Sequence, residues 1–562
     1  MSVPALVMLA LGLWGLDRGG MWRDEAVTFQ VSRRTVPQIW RLLHGVDAVH
    51  GLYYLLMHAV LAVRPDEVAL RLPSVCAAAV TAGLVAALGA RLVRARVGLW
   101  AGLFYAITPM AGHYAQEGRS YALVAAGATG ATLQFVRAVQ GGSWWAYGVV
   151  LGLTCWLHEF AVLLLLAHAV TLALARARAR VWRAWGCAAG AVGLALLPMA
   201  LVSNAQSAQV AWLRQPTMET AQGLLRTFLG PTDAVYWTCL GLAVLGLAGL
   251  LGRRGEVTCA GVCLPLAVVP PVVLMLVSQL SPLYVDRYVL YALSGAPVLV
   301  AAGAERVAAG AGRVAGAVGA WRVVGAAGLG WVVRAVGVGW VAAAVGVGWV
   351  AAAVGVGWVV RAVGAGRVAG AVGRLWGKGR PVAPSPLLTL TGLVALGLVL
   401  AQQLPLLRGD RSPAHRPDDL AAVSRAAGRE LRAGDRVLFL PEQTRNAALA
   451  YPGAFRGARD VALARTGADS GTLYGREVSA DTLRRRMAGL KRVWVVADRD
   501  LLGGRWRPGS PTERAKLAVL AREFVPGGER VQDDVTVRLY VRPVRVSGAP
   551  GPLPGPPRPA RS

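Results

Sequence analysis

"GLYYLLMHAVLAV", Gly51 to Val63, decides the fold, because its length sets the side of a membrane on which everything after it lies. The stretch is apolar from end to end, yet it has only 13 residues. At ~1.5 Å per residue such a helix reaches roughly 20 Å, short of a ~30 Å hydrocarbon core. It reads as an interfacial or re-entrant helix. Upstream, Val3–Leu16 has no basic leader and no cleavage site, so it reads as a signal-anchor span. Downstream, spans are predicted at Leu72–Ala90, Gly98–Ala111, Tyr121–Val136, Trp145–Leu157, Phe160–Ala175, Ala184–Val202, Val235–Leu251, Val257–Leu280, Val289–Ala304 and Leu387–Gln402. The arginine-rich joints "RLVRAR" (Arg91–Arg96), "RARARVWR" (Arg176–Arg183) and "GRRGE" (Gly252–Glu256) read as cytoplasmic. Counting Gly51–Val63 as a span would put "RLVRAR" outside.

The composition agrees. Of 562 residues, 55% are hydrophobic and 16% charged, and the mean hydropathy is +0.49. Soluble domains carry about a quarter charged residues, so this is the balance of a membrane protein. In a soluble chain a net charge of +29 would point to nucleic acid. No aromatic-rich basic module is present, so nucleic acid is not expected as a partner and the arginines read as anchors against anionic lipid. Cys76, Cys155, Cys187, Cys239, Cys259 and Cys263 lie in or near apolar runs and form no disulfide framework.

With this parity four polar patches share the outer side: "RDEA" (Arg23–Ala26), "YAQEGRSY" (Tyr114–Tyr121), "LHEF" (Leu157–Phe160) and "YVDRY" (Tyr284–Tyr288). Hydrated loop charge explains one or two such patches; four on one face read as a site. Asp24 and Glu25 read as adjacent loop carboxylates that point different ways. Partial desolvation there raises a carboxyl pKa toward that of a general base, although a hydrated pair balanced by Arg18 and Arg23 is the alternative. His113, Glu117 and Tyr121 are spaced i, i+4, i+8, one face if helical. Arg119 suits phosphate. His158 and Glu159 add a further polar pair, and Asp24, Glu117 and His158 form a candidate set for a divalent metal ion. Arg287, beside Asp286, could neutralise a lipid phosphate or simply snorkel. Tyr284, Tyr288 and Tyr291 read as an interfacial belt, and His50 as a second phosphate or leaving-group contact. Walker, GxSxG and HExxH motifs are absent, which leaves nucleotide hydrolysis and serine or zinc proteolysis without support.

Residues 305–380 are of another kind. "VGVGWVAAA" starts at Val336 and again at Val345, and "VGVGWV" restarts at Val354, a period of 9. Nine residues turn a helix through about 900°, so Trp340, Trp349 and Trp358 alternate faces and keep no common interface. The block reads as a low-complexity expansion contributing no span or a hairpin. After a last helix at 385–403, residues 404–545 read as a small extracytoplasmic α/β domain. "DRVLFLP", "KRVWVVAD" and an edge-like "VTVRLYVR" are its strands; "DDLAAVSRAAGREL", "ADTLRRRMAGL" and "ERAKLAVLAREF" are its helices. The Pro-rich tail, 546–562, reads as disordered.

The ordered set "WRDEA", "DAVHGLYYLLMH" before "EVALRLPS", "HYAQEGRSYAL", "LHEFAVLLLLAH" and "DRYVLYALSGAPVL" resembles the GT-C membrane glycosyltransferases, in particular the family 39-like group related to protein O-mannosyltransferases. The resemblance runs from Val3 to about Ala304. It implies an α-helical polytopic bundle of about 11–13 spans, a catalytic domain at 1–304 with its first outer loop at 17–70, and a bacterial cell-membrane location. It also implies a polyprenyl-phosphate sugar donor and an extracytoplasmic protein, lipid or polysaccharide acceptor. The family-weighted sugar is mannose. Asp24 takes the role of base, with Glu25 beside it, and His50, Glu117, Arg119, Tyr121, His158, Glu159, Asp286 and Arg287 bind donor phosphate or acceptor. Gly51 stands where relatives usually show proline, and Gly118 where alanine is more usual. A lipid-linked sugar flippase and a catalytically idle envelope-assembly protein are the competing readings; a flippase would favour charges at mid-membrane depth, whereas these cluster at helix ends.

Overall fold

The computed structural model describes residues 1–207, 213–324, 386–412, 418–506, 508–532 and 535–543. The Gly/Val/Trp repeats and the Pro-rich tail, with the expectations placed on them, lie outside the described residues. The chain divides into two compact units, Met1–Gly19 with Val31–His415, and Gly20–Gln30 with Arg416–Ser562.

The first unit is helical. Its elements are α1 (Ser2–Leu13), α3 (Val36–Leu43), α4 (Gly51–Val63), α5 (Glu67–Leu92), α6 (Ala95–Ile107), α7 (Pro109–Ala115), α8 (Tyr121–Val139) and α9 (Trp144–Leu157). Then come α10 (Leu163–Leu174), α11 (Ala179–Ala205), α12 (Met218–Leu229), α13 (Asp233–Gly246), α14 (Cys259–Val277), α15 (Gly295–Val324) and α16 (Pro386–Asp410); α2 (Arg23–Ser32) begins in the second unit. Among the described residues, six helices are long and apolar enough to cross a bilayer, or seven if α12 and α13, bent by 84° at Gly230–Pro231, count as one. The protein is a multi-pass α-helical membrane protein. Ser2–Leu13, Ala95–Ile107, Trp144–Leu157 and Glu159–Leu174 are shorter apolar helices. Apolar sequence continues past the point where Thr108–Pro109 or His158 breaks the helix, so hydropathy alone overstates their length. Gly51–Val63 is a 13-residue helix, as its length predicted.

The end of α1 shows how a helix stops where apolar sequence does not. Its last carbonyls have no partner within the helix and need donors from elsewhere. Gln116 Nε2 donates to the Gly12 and Trp14 carbonyls at 2.8 and 2.9 Å. Arg411 reaches the Leu11 and Trp14 carbonyls at 3.0 and 3.2 Å. Arg71, fully buried, reaches the Leu16 carbonyl at 3.1 Å. The Arg411 guanidinium at this helix C-terminus also interacts favourably with the dipole. Small residues then let α5 and α6 touch: a Cβ built on Gly98 would stand 2.2 Å from the Ala86 carbonyl oxygen.

The second unit has β1 (Arg436–Leu440), β2 (Arg459–Asp460), β3 (Leu463–Arg465), β4 (Arg476–Glu477), β5 (Arg492–Asp498), β6 (Val525–Gln532) and β7 (Val535–Val541). The main sheet runs β2-β1-β5-β7-β6, parallel from β2 to β5 and antiparallel thereafter. Leu438, Leu440, Val493 and Val495 pack with Leu483 and Met487 of one helix and Val519 and Leu520 of another. Val535–Val541 is therefore an inner strand, not the edge its alternation implied. The edge is β6, masked in sequence by Pro526-Gly527-Gly528, where the pairing register shifts. An edge strand has no ladder to break on its outer side and tolerates this Pro-Gly-Gly bulge.

Candidate functional site

In the first unit, Asp47 turns the chain with φ +57° into a 3-10 turn, Ala48–His50, which delivers His50 to the start of α4. The Tyr54 hydroxyl donates to Asp47 at 2.8 Å and holds this corner. On the second segment the expected single face of His113, Glu117 and Tyr121 does not exist. α7 ends at Ala115, a turn carries Glu117 and Arg119, and Tyr121 opens α8. His113 instead faces Asp410 at 2.6 Å. Ser74, on α5, donates to the Arg119 carbonyl at 3.1 Å and fixes it. Gly118, the departure from alanine, lies where a Cβ would stand 2.5 Å from Leu70 Cγ.

These corners bring together residues far apart in sequence. Arg119 Nη2 donates to His50 Nε2 at 2.7 Å. A guanidinium cannot accept, so Nε2 must carry the lone pair and the imidazole proton sits on Nδ1. That Nδ1 is buried with no hydrogen-bond partner among the described residues. Arg287 Nε donates to the Tyr121 hydroxyl at 3.2 Å. Its guanidinium also lies 5.9 Å from the Tyr121 ring and 5.8 Å from the Tyr288 ring. The His158 ring lies 4.8 Å from that of Tyr288 and 6.4 Å from that of His50. Burial first, then the Arg119 and Arg287 charges, push the His158 pKa down to about 3, so this imidazole is neutral.

A cavity of about 340 Å³ opens on this cluster, with His50, His158, Glu159, Ser203, Gln206 and Tyr288 in its wall. Glu159 accepts from the Ser203 hydroxyl at 3.0 Å. Sequence reasoning missed Ser203, Asn204 and Gln206; the polar run "SNAQS" closing an apolar span was the available signal. It also missed Tyr114, whose ring meets Tyr121 at 5.8 Å. Asp286 is exposed, and its carboxylate accepts the Arg287 backbone N–H at 2.8 Å. Tyr291 is not part of an interfacial belt: it is buried, and its hydroxyl donates to the Phe160 carbonyl at 2.8 Å.

Asp24 and Glu25 are not on a loop. They occupy the first turn of α2, where a carboxylate favours the positive end of the helix dipole, and Glu25 is fully buried. They belong to the second unit, where Arg23 pairs with Asp418 at 3.5 Å and Gln30 donates to the Leu473 carbonyl at 3.0 Å. No three His, Cys, Asp or Glu residues among the described ones stand where they could hold a metal ion. No step below is routed through a metal.

Short apolar helices broken at polar corners and a cationic, aromatic cluster at helix ends belong to the fold of a membrane protein of the ArnT kind. Residues 51–202 match the family model described as dolichyl-phosphate-mannose-protein mannosyltransferase. That segment contains Glu117, Arg119, Tyr121, His158 and Glu159, while Asp24, Glu25, His50, Asp286 and Arg287 fall outside it. The structure is similar to the crystal structure of ArnT from Cupriavidus metallidurans bound to undecaprenyl phosphate, with TM-score 0.57 and 14% identity over 97% of this chain and 98% of that one. The apo state of the same ArnT matches with TM-score 0.57 and 15% identity over 96% and 97% of the two chains. Among curated proteins none matches.

Proposed function

We propose that this protein transfers a sugar from a polyprenyl-phosphate donor to a hydroxyl on an extracytoplasmic acceptor. The observation that carries the reading is one cluster at helix ends: Arg119 bonded to the His50 imidazole and Arg287 against the Tyr121 and Tyr288 rings, with His50, the neutral His158 and Tyr288 in the wall of one cavity. Such a site favours an anion that arrives without a counterion, as a lipid phosphate does. The ArnT relative crystallised with undecaprenyl phosphate supports the same donor class. The family description supports mannose as the sugar.

In this reading Arg119, Arg287 and the His50 Nδ1–H bind the donor phosphate. They stabilise the charge that grows on it as the glycosidic C–O bond breaks. Asp24, assigned by resemblance, takes the proton of the acceptor hydroxyl as that oxygen attacks the anomeric carbon. A single displacement through an oxocarbenium-like transition state inverts the configuration. The test is transfer of radiolabelled mannose from polyprenyl phosphate in purified membranes, comparing native chain with Asp24→Asn. Label reaching an acceptor with the native chain only is the expected result. Equal transfer by both would sink Asp24 as the base, and no transfer by either would sink mannose as the donor sugar.

A further inference from the structure

We propose that a second hollow, between α12 and the segment Tyr284–Asp286, is a saccharide subsite that holds the acceptor; the proposal rests on the sugar-transfer reading above. The hollow measures about 410 Å³, and its wall includes Thr220, Gly223, Leu224, Thr227, Tyr284 and Asp286. Its volume is that of an ordinary small-molecule site.

Three observations carry the assignment. Tyr284 is only 7% exposed, and its hydroxyl is buried with no hydrogen-bond partner among the described residues. Buried hydroxyls are normally paired, so this one, on a residue of the hollow's wall, has a hydrogen bond left to make. Next, Gly223 lies inside a helix, where glycine costs about 1 kcal/mol relative to alanine. A Cβ built there meets nothing within 4 Å, so neither packing nor backbone conformation demands glycine. What a side chain would do is project into open space on the wall. Finally, the polar groups have the chemistry of a sugar contact. The Asp286 carboxylate accepts the Arg287 N–H through Oδ1, with its Oδ2 making no hydrogen bond among the described residues, and the Thr227 hydroxyl donates to the Gly223 carbonyl while keeping its lone pairs. Carboxylate and threonine oxygens can take sugar hydroxyls, with Leu224 and the Tyr284 ring against the C–H face. The place fits as well: Asp286 adjoins Arg287 in the chain and is close enough to act electrostatically on both Tyr114 and Tyr284. The hollow thus borders the cationic cluster where the donor phosphate binds.

The experiment is saturation-transfer NMR on the full-length chain in nanodiscs, with methyl α-D-mannopyranoside as the probe. Native protein, Gly223→Leu and Tyr284→Phe are compared, and each sample is also melted with and without undecaprenyl phosphate mannose. Saturation transfer is expected with the native chain, lost in Gly223→Leu and about tenfold weaker in Tyr284→Phe, the effect of one lost hydrogen bond. Should Gly223→Leu fail to fold, Tyr284→Phe, which removes one oxygen, decides. The donor's sugar could occupy the same hollow. Probe signal that survives saturating lipid donor, with donor binding verified by its melting shift, supports the acceptor. Displacement of the probe by the donor overturns the proposal, as does no signal from native protein or equal signal from all three. A native chain that the lipid donor does not stabilise counts against the donor reading instead, separately from the saccharide result.

Discussion

Arg119 Nη2 lies 2.7 Å from His50 Nε2, a buried hydrogen bond between a cation and a neutral imidazole 69 residues away in the chain. It fixes the His50 tautomer and aims the remaining ring proton. Glutamine can accept from Arg119 and still donate, whereas alanine leaves the buried guanidinium one acceptor short. His50→Ala is therefore expected to weaken undecaprenyl phosphate binding more than tenfold, the effect of about 1–3 kcal/mol, and His50→Gln less than about fivefold. Equal losses in lipid-binding titrations would reject the tautomer argument.

Arg287 does two things at once, donating to the Tyr121 hydroxyl and covering two tyrosine rings. A lysine ammonium is a point charge and cannot reproduce the planar fork. Arg287→Lys should weaken donor-lipid binding by about tenfold, and Tyr121→Phe by about fivefold, since it removes one hydrogen bond near 1 kcal/mol. Unchanged affinity in Arg287→Lys would place the phosphate elsewhere.

The His158 pKa gives a pH dependence. It is about 3 in the folded protein against an ordinary 6.5. Between those values the unfolded chain binds a proton that the folded chain does not. Stability therefore rises with pH across this window, and the contribution is lost as pH falls below about 6.5. Melting temperature should drop between pH 7 and pH 5 by more in the native chain than in His158→Gln. Parallel curves would show that His158 protonates freely in the fold.

Close helix contact predicts opposite outcomes for two glycines. Gly98→Ala forces a Cβ onto the Ala86 carbonyl oxygen and should cost about 1–3 kcal/mol as overpacking. Gly152, within α9, has open space at its Cβ, and Gly152→Ala should be neutral or stabilising by up to about 1 kcal/mol. Thermal melts in detergent check both, and a stable Gly98→Ala would mean that α5 and α6 separate without penalty.

Much of the membrane unit was legible because bilayer chemistry acts on single segments. The 13 residues of Gly51–Val63 are too short to span, whatever packs on them. The clustering of Tyr114–Tyr121, Leu157–Phe160 and Tyr284–Tyr288 residues could be anticipated from the parity of basic loops. The strands Arg436–Leu440 and Arg492–Asp498 announced themselves as short apolar runs bounded by turns. Hydropathy was misleading where a helix ends inside apolar sequence, because the donors that satisfy its last carbonyls, such as Gln116 and Arg411 on α1, come from remote segments. The edge strand Val525–Gln532 was hidden for a related reason: an edge tolerates Pro526 and two glycines only because it has one neighbour.

By itself, then, the sequence determined the class of protein, the short helix and the polar segments from which a site could be built, since length, hydropathy and charge are local quantities. Only the tertiary structure decided that Arg119 bonds His50 rather than water, that Ser203 joins Glu159 in the cavity wall, and that Asp24 and Glu25 open a helix in the second unit. Those outcomes depend on which buried donor meets which acceptor across dozens of residues, and an unpaired polar group in a low-dielectric interior is costly enough to select one arrangement.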